Sequence, residues 1–192
     1  MNPITHFLLS WCVANTVRNS TKRDRAFITV AGIAPDFDGL GIVPELLTAK
    51  SQHPLLWWSD YHHILGHNLM AAALVASVAA LFAHAHLRTA LLVFVTYHLH
   101  LLCDVVGARG PDGYQWPIPY LLPFSSSIQW TWHGQWALNA WQNIVITVAA
   151  IAATILLARS RGYSPLEFVS AKADLTFVET IRRRFPISSQ RN

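Results

Sequence analysis

The chain has 192 residues, 53% hydrophobic and 12% charged, with a formal net charge of +4 at pH 7. That length fits one domain with a tail, and a mean hydropathy of +0.31 lies on the membrane side of soluble globular composition. The positive charge gathers at the ends, with Arg18, Lys22, Arg23 and Arg25 before an apolar region and Arg159, Arg161 and Arg182 to Arg184 after it. Such flanking suits a membrane. A nucleic-acid binder would instead spread basic residues over one face among stacking aromatics, so no nucleic-acid partner is expected.

Asn2-Pro3 reads as an N-cap followed by proline at the first helical position, opening a helix to about Val17 that is too short to span a bilayer. No basic segment or small-residue cleavage site accompanies it, so no removable signal peptide is expected. After the basic turn Arg18 to Arg25, an apolar run from Ala26 to Ala34 ends at Pro35-Asp36-Phe37-Asp38-Gly39. Ile64 to Ala83 is almost wholly apolar and about 20 residues long, the length of a spanning helix. Thr89 to Val106 forms a second helical run with Tyr97, His98, His100 and Asp104 towards its carboxyl end, and Ala137 to Ala158 a third, uncharged one.

Between the second and third runs, Gly107 to Phe124 holds four prolines and three glycines and reads as an extended loop. Its Trp116-Pro117 stretch is too apolar for a free linker. Near the C-terminus, Ser164-Pro165-Leu166-Glu167 reads as a capping box, followed by an apolar stripe of Leu166, Val169, Ala173, Phe177 and Ile181. The expected fold is all-α: a helical, membrane-associated bundle with about three apolar helices of spanning length and a C-terminal amphipathic helix. The eight tryptophans suit either interface belts or core packing, and Cys12 and Cys103 lack metal or redox spacing and read as small core residues.

From Tyr61 to Ala158 only Arg88, Asp104, Arg109 and Asp112 are charged, yet eight of the ten histidines lie there. Burying imidazoles costs free energy unless they are hydrogen-bonded or bound to a cation. Residues four apart project about 40° apart on a helix, so His100 and Asp104 share a face and can hold one ion; His63 and His67 have the same spacing. Asp36 and Asp38, on an irregular turn, can ligate a metal or act as general base, with an Asp-rich turn or helix cap as the plainer reading. Mixed imidazole and carboxylate donors favour a divalent transition metal, zinc first and manganese or iron next, with one to three ions. His98 projects about 160° from His100 and is expected to be structural or to support a ligand. His53, His84, His86 and His133 fall outside the motifs, and Asp112 and Tyr114 are candidates for reaching the site from the loop.

Thr5-His6, Pro35-Asp36-Phe37-Asp38, His62-His63-x-x-x-His67 and His100-x-x-x-Asp104 before a glycine-rich loop and Trp116-Pro117 stand in the order of a known group. Over residues 1 to about 124 the chain resembles the YdjM-like bacterial inner-membrane metal-dependent hydrolases. The resemblance implies metal-binding roles for His6, Asp36, Asp38, His62, His67, His100 and Asp104. The family pattern has arginine and threonine where this chain has His63 and Gly66, which leaves His62 and His63 as alternative ligands. More remotely, the group resembles the all-helical zinc phospholipase C and nuclease proteins, the source of an expectation of a phosphoester or lipid substrate.

Residues 1–160 accordingly read as a metal-dependent hydrolase-like helical domain and 161–192 as an amphipathic basic tail. The expected protein is multi-pass or tightly associated with the bacterial inner membrane. It would meet membrane lipid and a small-molecule or lipid ester, with Asp36 or Asp38 as catalytic carboxylate. The alternative is a non-enzymatic metal-binding transporter component or scaffold. A three-span arrangement places segments 18–63 and 107–136 on one side of the membrane.

Overall fold

In a computed structural model, residues 1–110 and 112–186 are described. The last residues of the expected basic tail, 187–192, lie outside them. The described residues form eight α-helices: α1 (Pro3–Ala14), α2 (Lys22–Ala31), α3 (Ile42–Thr48), α4 (Trp57–Tyr61), α5 (Leu69–Phe82), α6 (His86–Gly107), α7 (Trp141–Arg161) and α8 (Ala171–Arg184). A 3-10 turn, Pro35–Gly41, joins α2 to α3. Among the described residues the strand content is one small antiparallel pair, β1 (Ile118–Pro119) in the proline-rich loop and β2 (Gln129–Trp130) after it.

α6 packs between α5 and α2, α1 lies against α2 and α7, and α8 packs on α7. Alanines at the contacts, Ala14, Ala31 and Ala79 beside Ile28 and Val93, let the helices approach closely. α1 opens as expected, with the Asn2 side chain accepting from Thr5 N. Thr5 meets Thr147 (2.6 Å) and the Arg161 guanidinium donates to Asn15 O (2.8 Å), so α1 and α7 run in parallel. α6 runs opposite to α1.

α6 has 22 residues and mean hydropathy 1.7 in its most apolar window, and α7 has 21 residues and 1.9; both are long and apolar enough to cross a membrane. The third expected span does not form. Asn68 caps α5 by accepting from Ala71 N and also donates to Ile64 O and Leu65 O, which diverts 64–68 into a turn and leaves a helix of 14 residues. A different third candidate emerges, because α2 and Pro35–Thr48 together have spanning character with a 59° bend. α2 therefore carries the chain away from residues 18–25, which lie at the opposite end of the bundle from the 107–136 loop, not beside it.

That opposite end is fastened by Asp24. One of its oxygens accepts from His84 N (2.8 Å), Ala85 N (3.1 Å) and Thr89 Oγ1 (3.1 Å), capping a helix start that has no side-chain cap of its own; the other closes the capping box with Thr21. The box expected at Ser164 is altered. Ser164 N donates to Asp174 (2.6 Å), while Glu167 forms a buried fork with the Arg25 guanidinium (2.7 and 2.6 Å) that stacks on Tyr163. The expected tail stripe turns accordingly: α8 starts at Ala171 and buries Val178 and Ile181, whereas Val169 is 87% exposed.

The site end is closed by the chain that returns from the loop. Gln135 donates to Asp104 O (2.7 Å), Trp136 N to Val106 O (3.0 Å) and Asn143 to Gly107 O (2.8 Å), satisfying the last carbonyls of α6. Asp24→Ala would leave the amides before α6 uncapped, and a loss of about 1–3 kcal/mol is expected. Thermal unfolding followed by circular dichroism checks this, with an unchanged midpoint as the contrary result.

Candidate metal centre

Four side chains from three segments converge at the end of α6. Asp36 comes from the 3-10 turn, His67 from the turn before α5, and His100 and Asp104 from adjacent turns of α6; one ligand atom of each lies within 4.8 Å of all the others. His100 Nε2 is 2.9 Å from Asp104 Oδ2, 3.5 Å from Asp36 Oδ1 and 3.3 Å from His67 Nε2. His67 Nε2 is 3.5 Å from Asp104 Oδ2. Three of the four residues are buried, and Asp104 is 3% exposed.

The far ring nitrogens define what the near ones can do. His100 Nδ1 donates to Gly32 O (2.7 Å) and His67 Nδ1 to Asp38 Oδ2 (3.2 Å), and both partners can only accept. The facing Nε2 atoms therefore direct lone pairs at one another beside two carboxylates, unless a proton or a metal ion lies between them. The 3.3 Å and 3.5 Å separations of His100 Nε2 from His67 and Asp36 lie near the spacing of about 3.3–3.5 Å between ligands at a four-coordinate ion with bonds near 2.0–2.1 Å, and its 2.9 Å contact with Asp104 is shorter. Asp36 Oδ2 is buried with no hydrogen-bond partner. Two imidazoles and two carboxylates, one of them with this free oxygen, fit a divalent transition ion better than one that prefers oxygen ligands alone.

Asp38 sits behind the imidazoles. Its Oδ1 accepts from His62 Nδ1 (2.8 Å), and its Oδ2 from Gly66 N (3.0 Å) and His67 Nδ1. The carboxylate thus orients two rings, an arrangement common behind metal-binding histidines. Burial opposes a charge on His67, but hydrogen bonds to Asp104 and Asp38 outweigh it and raise its pKa to about 9. For His63, burial and repulsion from His67 act together and push the pKa down to about 2.

His6 lies on the other side of Asp104, with Nε2 3.1 Å from Oδ1 and its ring stacked on His100 at 3.8 Å. The Met1 amino group meets the same oxygen. His62 and His63 stand outside the close group: His62 stacks on Trp58 at 3.8 Å, and His63 on His67 at 4.3 Å with a buried, unpartnered Nδ1. The helical i,i+4 geometry expected for His63 and His67 is absent, because 62–68 is a turn in which His63 has φ 66°. His98 bonds Phe94 O and Tyr120 and stays away from the group. Asp112 accepts from Tyr114 N in a local turn, and it is Trp116 that reaches the site from this loop, 4.6 Å from His63.

Some supporting groups carry no signature in the sequence. Gly32 supplies the carbonyl that holds His100, and a Cβ there would overlap the Ser10 side chain, so glycine permits the close approach of α2 to α1. Gly66 lies against Pro35, where a Cβ would overlap the carbonyl oxygen, and its own carbonyl accepts from the Tyr97 hydroxyl. Both glycines flank motif residues, but only the fold reveals their contacts.

Apolar helices of membrane length around a buried His/Asp group define a helical membrane protein with a site able to hold a metal ion. The chain belongs to the YdjM inner membrane protein family, whose model matches residues 1–180. No curated protein and no solved structure matches it. Elemental analysis of purified protein is expected to find metal in the wild type and little in Asp36→Ala or His100→Ala, while Asp38→Asn should weaken metal affinity by about 10–100-fold. Equal metal content in all four proteins would show that the group holds no ion.

Proposed function

We propose that the chain is a multi-pass inner-membrane hydrolase acting on an ester through a divalent transition metal held by Asp36, His67, His100 and Asp104, with zinc the leading ion. A bound ion of this kind lowers the pKa of its water and polarises the oxygen under attack. The observation that carries the reading is the unpartnered, buried Oδ2 of Asp36 beside a cavity that reaches Asp104. This oxygen is free to accept a proton from a water molecule, whereas both oxygens of Asp38 are engaged. Of the two expected catalytic carboxylates, Asp36 is thus the base and Asp38 the orienting group. His6, on the far oxygen of Asp104, would hold a second ion or steady the carboxylate. Trp58 and Trp116 screen the imidazoles from water.

Asp36→Asn is expected to lower ester hydrolysis by the metal-loaded protein by about 10²–10⁴-fold with helical content unchanged. Metal uptake into liposomes without any ester hydrolysis would instead favour a transporter.

The charge at the two ends of the bundle supports an orientation. Arg18, Lys22, Arg23, Arg25, Arg88, Arg159, Arg161, Lys172 and Arg182 to Arg184 lie at the end opposite the site, while Lys50 and Arg109 lie on the site side. The positive-inside rule then puts the basic end in the cytoplasm and the His/Asp group on the outward face. An impermeant maleimide applied to intact spheroplasts should label Ser126→Cys and spare Ala171→Cys; the reverse pattern would invert the orientation.

A further inference from the structure

A cavity of about 500 Å³ opens directly onto the His/Asp group, within the size range of about 300–1,000 Å³ typical of small-molecule sites. Its polar side is formed by Asn2, Asp36, His62, His63 and Asp104 with the Met1 amino group, and the facing wall is made by Leu40, Trp58, Trp116 and Leu138. Among the described residues, no lysine or arginine lines it. The Met1 amino group is already engaged by Asp104, so an anionic headgroup would find no unpaired cation of the protein to meet, whereas an uncharged chain would meet aromatic and aliphatic side chains.

The wall continues outward. Leu40 is 65% exposed although it lines the cavity, and Val43, Leu46 and Leu47 after it are exposed as well. This is the second half of the bent helix pair. A contiguous apolar surface leading into a cavity marks a path for an apolar ligand. Glu45 accepts from Ser59 N (2.9 Å) and Ser59 Oγ (2.7 Å), tying α3 to α4 and holding Trp58 in the wall.

We infer that the site takes an uncharged amphiphilic ester, its unbranched apolar chain lying against Leu40, Trp58, Trp116 and Leu138 and its ester group at Asp36 and Asp104. The ester rests on the hydrolytic reading given above, and the chain-binding wall is testable without it. Equilibrium dialysis of the full-length protein in nanodiscs would compare methyl and hexyl para-nitrophenyl ethers, which cannot be hydrolysed. Each buried methylene contributes on the order of threefold, so the hexyl ether is expected to bind at least tenfold more tightly. Leu138→Trp, which fills the cavity, should abolish that preference with metal content unchanged. Should that variant fail to fold, Leu138→Ala should widen the cavity and shift the preference towards a decyl ether.

Equal binding of methyl and hexyl ethers by the wild type would overturn the inference whatever the protein hydrolyses. A strong hexyl preference without cleavage of para-nitrophenyl hexanoate would overturn only the hydrolytic reading. Hexyl para-nitrophenyl phosphate bound and cleaved as well as the hexanoate would overturn the uncharged class.

Discussion

The site end of the bundle depends on one buried carboxylate. Asp104 stands on an apolar helix at 3% exposure, where an isolated negative charge would cost far more than one helix contact returns. Its neighbours come from separate parts of the chain: His6 on α1, His67 before α5, and His100 one turn back on α6. Satisfying Asp104 therefore draws α1 and the 62–68 turn onto α6. His100 extends the same network to α2 through Gly32 O, and His67 extends it to the 3-10 turn through Asp38. A polar network, not an apolar core, sets the relative positions of these segments.

The middle of the bundle works by the opposite principle. Between the two polar ends, contacts are made by Ala14, Ala31, Ala72 and Ala79 with Ile28, Val93 and Leu101. Small side chains bring backbones close but give little angular specificity. That specificity comes from the ends, from the Asp104 network at one and from Asp24 and the Arg25–Glu167 pair at the other. The short α5 belongs to the same economy of structure: Asn68 ends it early, and the residues released form the turn that carries His67.

What the sequence made legible follows physical range. Local signals read well: Asn2-Pro3 opens α1, and the four-residue spacing of His100 and Asp104 on a long apolar helix does bring their side chains to 2.9 Å. Signals that depend on the partner read poorly. Ile64 to Ala83 has the hydropathy of a span, but hydropathy carries no information on Asn68 choosing the carbonyls of Ile64 and Leu65. Glu167 has the spacing of a capping box, yet Arg25, 142 residues away in sequence, offers a bidentate charge-assisted pair that a single backbone amide cannot match. Asp36 and Asp38 are alike in sequence, and only the fold separates an oxygen left free from a carboxylate fully engaged.

That separation also explains why so many histidines collect in so uncharged a stretch. Asp36 and Asp104 lie in one close group, with Asp38 behind it on His67, at the end of an apolar bundle where, among the described residues, no lysine or arginine forms an ion pair with them. Lysine or arginine would neutralise them permanently and occupy the space between them. Imidazoles neutralise conditionally: each can donate from one nitrogen to a fixed acceptor and keep the other available for a proton or a metal ion. With Nδ1 of His67 and His100 committed to Asp38 and Gly32, their Nε2 atoms face the same point as Asp36 and Asp104. A proton on His67 would supply one positive charge there, and a divalent cation would supply two, closer to the need of the carboxylates. The histidines thus leave the group able to take up an exchangeable cation, a property that permanently charged side chains would have removed.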